Sequence, residues 1–228
     1  MKRHIPNTIT CCNLVSGCIA IVEAIYGNPT LALLWIITGA VFDFFDGMSA
    51  RLLGVSSPIG KELDSLADVV TFGVAPSAIV FNYLCGFHQH LFFLPFAAFI
   101  IAAFSALRLA KFNLDERQTT SFIGLPTPAN ALFWGALIVW MSENLDYEPL
   151  YMYVVLALIP FSSYLLVAEL PLFALKFKHW GFKGNEVKYG FVFSSVLLIA
   201  CPLMLGYGFI GISAVIAWYV ILSALTNK

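Results

Sequence analysis

Residues 31–53 read LALLWIITGAVFDFFDGMSARLL. The stretch opens with twelve uncharged residues, and its whole length meets the requirement of about 20 residues for a helix crossing a bilayer. Two aspartates then stand near its far end, Asp43 and Asp46. A carboxylate in hydrocarbon costs about 2.5–3.5 kcal/mol unless it pairs or lines a polar cavity. A short break through Gly54 and Pro58 follows, and residues 59–85 form a second apolar run with Asp64 and Asp68 near its start. The reading is two antiparallel membrane helices with four carboxylates at their shared end.

Working outward, the rest of the chain has the same character. Of 228 residues, 60% are hydrophobic and 11% charged, with a mean hydropathy of +0.87. A soluble domain carries about a quarter charged residues, so the bilayer is the natural solvent. The net charge of −1 says nothing about nucleic acid, but no basic patch with interleaved aromatics appears, and no nucleic-acid partner is expected. Apolar runs place helices near 8–26, 31–53, 59–85, 91–112, 127–144, 150–171, 187–205 and 208–226. The expected fold is an all-α integral membrane protein. It is a bundle of about eight transmembrane helices in one domain over residues 1–228, with the last two helices within 187–226. The N-terminal Met1–His4 before an apolar run resembles a signal peptide, but Asn13 and Glu23 inside the run favour a first membrane helix. Pro160 and Pro171 are expected to interrupt the sixth segment. Residues 169–180 read either as an interfacial stretch or as a helix end with snorkelling lysines.

Charge placement orients the bundle. With an even helix count and the N-terminus inside, Lys2, Arg3, Arg51, Lys61, Arg108, Lys111, Arg117, Lys176, Lys178, Lys183, Lys188 and Lys228 all fall on the cytoplasmic side. These are all 12 basic residues, and Glu143, Asp146 and Glu148 fall opposite. Both termini are therefore expected in the cytoplasm, with the aspartates facing it. The five cysteines form no CxxC pair and read as small buried hydrophobes. His88 and His90 read as a polar loop. Tyr189, Phe191 and Phe193 read as lipid-facing or core residues.

The carboxylate spacing carries the chemistry. Positions 43, 46, 47 and 50 share one helix face, and positions 60, 64 and 68 share one on the next helix. Four carboxylates facing one cleft repel unless their proton affinity rises or divalent cations join them. An all-oxygen donor set suits a hard ion such as Mg²⁺, Mn²⁺ or Ca²⁺. Arg51 adds a cation suited to phosphate, and Gly47, Ala50 and Gly60 leave room against the backbones. Together these suit a metal-bound diphosphate at the membrane surface.

Asp43-x2-Asp46-Gly47-x2-Ala50-Arg51-x8-Gly60-x3-Asp64-x3-Asp68 resembles the full signature of the CDP-alcohol phosphotransferases, a family with a six-helix core. The resemblance implies that Asp43, Asp46, Asp64 and Asp68 ligate one or two ions, Mg²⁺ or Mn²⁺ with Ca²⁺ able to occupy the site. Asp68 would also be the general base toward the acceptor hydroxyl. Asn7, Thr8, Gly47, Ala50, Arg51, Ser57 and Gly60 would contact the CDP-lipid. The residues alone do not single out cytidine, or Asp68 over Asp64 as base.

The segments PNTIT at 6–10, ADVVTFGVAP at 67–76, LRLAKFN at 107–113 and FIGLPTPA at 122–129 are similar to membrane-embedded phosphatidylserine synthases. That resemblance runs from about residue 5 to 130 and implies CDP-diacylglycerol and L-serine as substrates in a multi-pass cytoplasmic membrane enzyme, commonly a homodimer. Arg108, Lys111 and Asn113 would then hold the serine, although Lys111 stands where an arginine is expected. Snorkelling alone would also place basic residues there. Other acceptors, such as glycerol phosphate or inositol phosphate, would favour a denser basic pocket. A cation transporter would favour further acidic residues deep in the later helices.

Overall fold

A computed structural model describes residues 4–55, 57–87, 92–114, 122–172, 181 and 185–226. Among these residues the chain forms eight helical rods: α1 His4–Ile25, α2 Pro29–Leu53, α3 Pro58–Cys85, α4 Leu94–Leu114, α5 Thr127–Asn144, α6 Pro149–Val167, α7 Glu186–Met204 and α8 Ile210–Thr226. Local chemistry sets the breaks. Pro29, Pro58 and Pro149 occupy first-turn positions where the missing N–H costs nothing. α2 stops at Gly54, whose φ of 60° allows its N–H to turn back to the carbonyls of Ala50 and Arg51. Ser57 then caps α3 by accepting from the Gly60 N–H at 3.0 Å.

Six rods are long and apolar enough to cross a membrane, namely α1, α2, α3, α4, α6 and α7. α8 is apolar but has only 17 residues. α5 owes its apolar contacts to the protein itself. Trp134 is fully buried and donates from Nε1 to Ser162 Oγ of α6 at 2.9 Å. It belongs to one buried core with Ile36 of α2, Phe72 and Ile79 of α3, and Val155 and Ile159 of α6. The last hairpin adds to this bundle through α8. Ser213 donates to the Phe133 carbonyl of α5 at 2.8 Å, and Trp218 Nε1 donates to Ser194 Oγ of α7 at 3.0 Å.

Four sequence expectations need correction. α1 is already helical at His4 rather than from near residue 8, with Pro6 in its first turn, where a missing N–H costs nothing. α6 ends at Val167 rather than 171. There the Leu170 carbonyl accepts from Gly124 N–H, and β2 (Pro171–Leu172) pairs antiparallel with β1 (Phe122–Ile123). Pro160 does not interrupt α6; the helix runs through it with the proline on the outward face, as spanning helices tolerate. The cysteines are free, but Cys11, Cys18, Cys85 and Cys201 face outward and Cys12 is half-buried. A small apolar thiol needs no protein core where lipid is the solvent.

α3 contains a feature that the sequence reading did not reach. Its α-helix is interrupted by a π turn, Val69–Val74, immediately after Asp68, and resumes at Ala75. Of the aromatic run at the start of α7, Phe191 is buried against the Tyr219 ring and Phe193 faces outward. His88, His90, residues 173–180 and the basic residues Lys2, Arg3, Arg117, Lys183 and Lys228 lie outside the described residues.

Candidate active site

The four aspartates come from the last turns of α2 and the first turns of α3, and α1 forms the third wall. Carboxylate oxygens of Asp43, Asp64 and Asp68 all lie within 4.8 Å of one another. Oxygens bound to a single hard ion at 2.0–2.6 Å cannot be more than about 5 Å apart, so the three fit one ion. Asp64 Oδ1 is buried with no hydrogen-bond partner, which a cation would satisfy. The donor set therefore fits a divalent ion on geometry as well as on chemistry.

Asp46 stands outside that trio. Its Oδ2 accepts from Thr10 Oγ1 of α1 at 2.6 Å, a charge-assisted length. Asp68 is likewise tied to α1, accepting at Oδ1 from Asn13 Nδ2 at 3.1 Å. Both aspartates are largely buried, so a buried carboxylate and a matching polar group of α1 stabilise each other.

Beside the aspartates lies a cavity of about 280 Å³, lined by residues of all three rods. Pro6, Asn7 and Thr10 come from α1, Asp46, Gly47 and Ala50 from α2, and Gly60, Lys61 and Asp64 from α3, with Val55 and Ser57 between. Of the residues expected at the CDP-lipid, Asn7, Gly47, Ala50, Ser57 and Gly60 line it. Thr8 is exposed and its hydroxyl donates to the His4 carbonyl. Arg51 is exposed and outside the lining. Gly47 has open space where a Cβ would stand, so its missing side chain widens the cavity.

The residues expected at the acceptor divide. Arg108 of α4 is buried, donates from Nε to the Leu125 carbonyl at 2.8 Å and lies 5.4 Å from the Phe112 ring centroid. Asn113 donates to Ser65 Oγ at 2.8 Å and accepts from Lys61 Nζ at its carbonyl at 3.0 Å, fastening the end of α4 to α3. Lys111 is exposed. The groups that sequence reasoning missed are Thr10, Asn13 and Thr71. A polar residue inside an apolar run was the available signal, but only the fold shows what each one reaches.

The profile of the CDP-alcohol phosphatidyltransferase family matches residues 3–170. The chain belongs to that family. The matched span covers α1 to α6 and the whole aspartate site, and it ends before α7 and α8. Among the relatives of this CDP-alcohol phosphatidyltransferase, a CDP-diacylglycerol–serine O-phosphatidyltransferase of Bacillus subtilis is 38% identical over 182 residues, covering 78% of this chain and 92% of that protein. Proteins of the same name in Methanocaldococcus jannaschii and Saccharomyces cerevisiae are 40% identical over 128 residues and 38% over 155. They match over 56% and 61% of this chain, and the match spans 57% and 53% of their own lengths.

Proposed function

We propose that the chain transfers the phosphatidyl group of CDP-diacylglycerol to the hydroxyl of L-serine, giving phosphatidylserine and CMP. The observation that carries this reading is the Asp43–Asp64–Asp68 trio opening beside a cavity walled by small residues, in a chain whose relatives are named for that reaction. In the step itself the serine Oγ forms a bond to the lipid-linked phosphorus. The bond from that phosphorus to the bridging oxygen breaks, and CMP leaves with the electron pair. The Oγ proton passes to the Asp68 carboxylate, the general base.

Asp43, Asp46, Asp64 and Asp68 would hold Mg²⁺ or Mn²⁺, as one ion or two. Such an ion would supply positive charge that offsets the charge of the diphosphate. Asn7, Gly47, Ala50, Ser57 and Gly60 shape the seat of the nucleotide, with Thr8 and Arg51 reaching it from the rim. Arg108 takes the serine carboxylate, with Lys111 and Asn113 beside it. A cleft between helices limits the access of water as a competing acceptor, and the acyl chains stay in the bilayer. The active site faces the cytoplasm of a cell-membrane protein with both termini inside, and the protein works as a homodimer. Residues 1–228 act as one transmembrane domain, with α7 and α8 appended to a six-helix core.

CMP release by the purified protein tests the reading, with CDP-diacylglycerol and Mn²⁺ in the presence and absence of L-serine. Serine-dependent release that Asp68→Asn abolishes supports it. Release driven by glycerol 3-phosphate or inositol phosphate in place of serine overturns the substrate and keeps the chemistry. Cation uptake into proteoliposomes without any CMP release overturns the whole assignment.

A further inference from the structure

Asn13 lies in the middle of α1 with no exposed surface, where a buried amide costs free energy unless it is hydrogen-bonded. Its Nδ2 donates to Asp68 Oδ1 at 3.1 Å. Its Oδ1 is buried and has no hydrogen-bond partner, so the side chain makes one strong contact and leaves the other end idle. The arrangement admits one orientation. Turning the amide over would set its oxygen against the Asp68 carboxylate.

The backbone at Asn13 is fixed as well. Thr71 Oγ1 donates to the Asn13 carbonyl at 3.0 Å, and Thr71 sits inside the π turn that begins directly after Asp68. Two glycines let this contact form. A Cβ at Gly17 would collide with Thr71, and one at Gly39 would collide with Thr71 Cγ2 and stand 2.9 Å from Asn13 Oδ1. Asp68, Thr71 and Asn13 thus form a closed clamp between α3 and α1, in which the residue that receives the bond and the residue that fixes its donor are three apart on one rod. π turns concentrate at functional sites, and here the turn places Thr71 on the α1 side.

We propose that Asn13 is a positioning residue for the transfer reaction. Its amide holds Asp68 Oδ1 so that Oδ2 is left to face the acceptor hydroxyl, and Thr71 holds Asn13 in place for that task. This rests on the base assignment given above. Asn13 touches neither substrate nor reacting atoms; it acts through Asp68.

The experiment compares Asn13→Leu, Thr71→Val and Thr71→Ser with the unmodified full chain. It reads kcat, KM for CDP-diacylglycerol and thermal unfolding, and separately Mn²⁺ affinity by electron paramagnetic resonance without substrate. Groups that orient a metal-binding carboxylate matter by about 10–100-fold. Asn13→Leu is expected to lower kcat by about that factor and to weaken Mn²⁺ binding, with KM within about threefold. Thr71→Val is expected to lower kcat less, and Thr71→Ser, which keeps the hydroxyl, to restore it. A kcat within twofold of the unmodified protein in Asn13→Leu overturns the proposal, as does a loss confined to KM. If Asn13→Leu fails to fold, equal kcat in Thr71→Val and Thr71→Ser overturns it. Asp68→Asn separates the two readings. Retained CMP release in that variant removes the base assignment, whereas lost release together with an unaffected Asn13→Leu removes this inference alone.

Discussion

α1, α2 and α3 at one end of the chain, and α7 and α8 at the other, are both built of apolar residues, yet they use their polar groups differently. In the first region three polar side chains converge on the buried aspartates: Thr10 bonds to Asp46, Asn13 to Asp68, and Thr71 to the Asn13 carbonyl. Glycines bring the backbones close enough for this. In the second region Trp218 bonds to Ser194 and Ser213 to the Phe133 carbonyl, joining helix to helix, and in α7 only Phe191 is buried. Charge that must be held still has to be surrounded, and surrounding it takes three rods. A hairpin that has only to stay in the bilayer can leave most of its surface to lipid.

The largest test of this contrast is removal of divalent ions by a chelator. Loss of several kcal/mol of transition-state stabilisation corresponds to a fall of about 10³-fold or more in CMP release, recovered on adding Mn²⁺. Persisting activity would break the comparison at its stronger end. Next comes Thr10→Val, which removes the support of Asp46 and is expected to lower kcat by about tenfold, with Thr10→Ser close to the unmodified protein. In the other region Gly211→Val sets a Cβ against the Leu198 carbonyl. It is expected to cost about 1–3 kcal/mol of stability, seen as a lower melting temperature, with kcat within twofold. A kcat loss there as large as that of Thr10→Val would mean that the hairpin serves the site through α5. The smallest effect is expected from Trp218→Phe, about 0.5–1.5 kcal/mol for one hydrogen bond, measured by thermal unfolding.

The parts legible in the sequence were those written in local spacing. Eight apolar runs separated by Gly, Pro and Asn breaks give eight rods within a few residues. The i, i+3 and i, i+4 intervals among Asp43, Asp46, Asp64 and Asp68 gave the shared end of α2 and α3. What stayed hidden depends on residues far apart in the chain. Thr10 lies 36 positions from Asp46, and Asn13 lies 55 from Asp68. In an apolar helix a threonine hydroxyl can be satisfied by the carbonyl four residues earlier, so nothing in the pattern shows that the Thr10 proton goes to Asp46 instead. The early start of α1 was missed for a related reason. Pro6 lacks an N–H, yet in the first turn of a helix that costs nothing, so the helix runs through it. The separation of Asp46 from the other three was equally invisible, because its spacing from Asp43 is that of neighbours on one face.

The widened turn at Val69–Val74 has a consequence for how α3 can tolerate change. Relative to an unbroken α-helix it holds an extra residue, which rotates everything after it by about 100°. The first half of the rod presents Asp64 and Asp68 to the cleft, while the second half directs Ile79, Val80 and Tyr83 into the bundle. Deleting one residue from the turn would restore uniform winding and force one of these two faces out of alignment. The rod therefore has a phase as well as a composition. Substitutions within Val69–Val74 should be borne more easily than any change in its length.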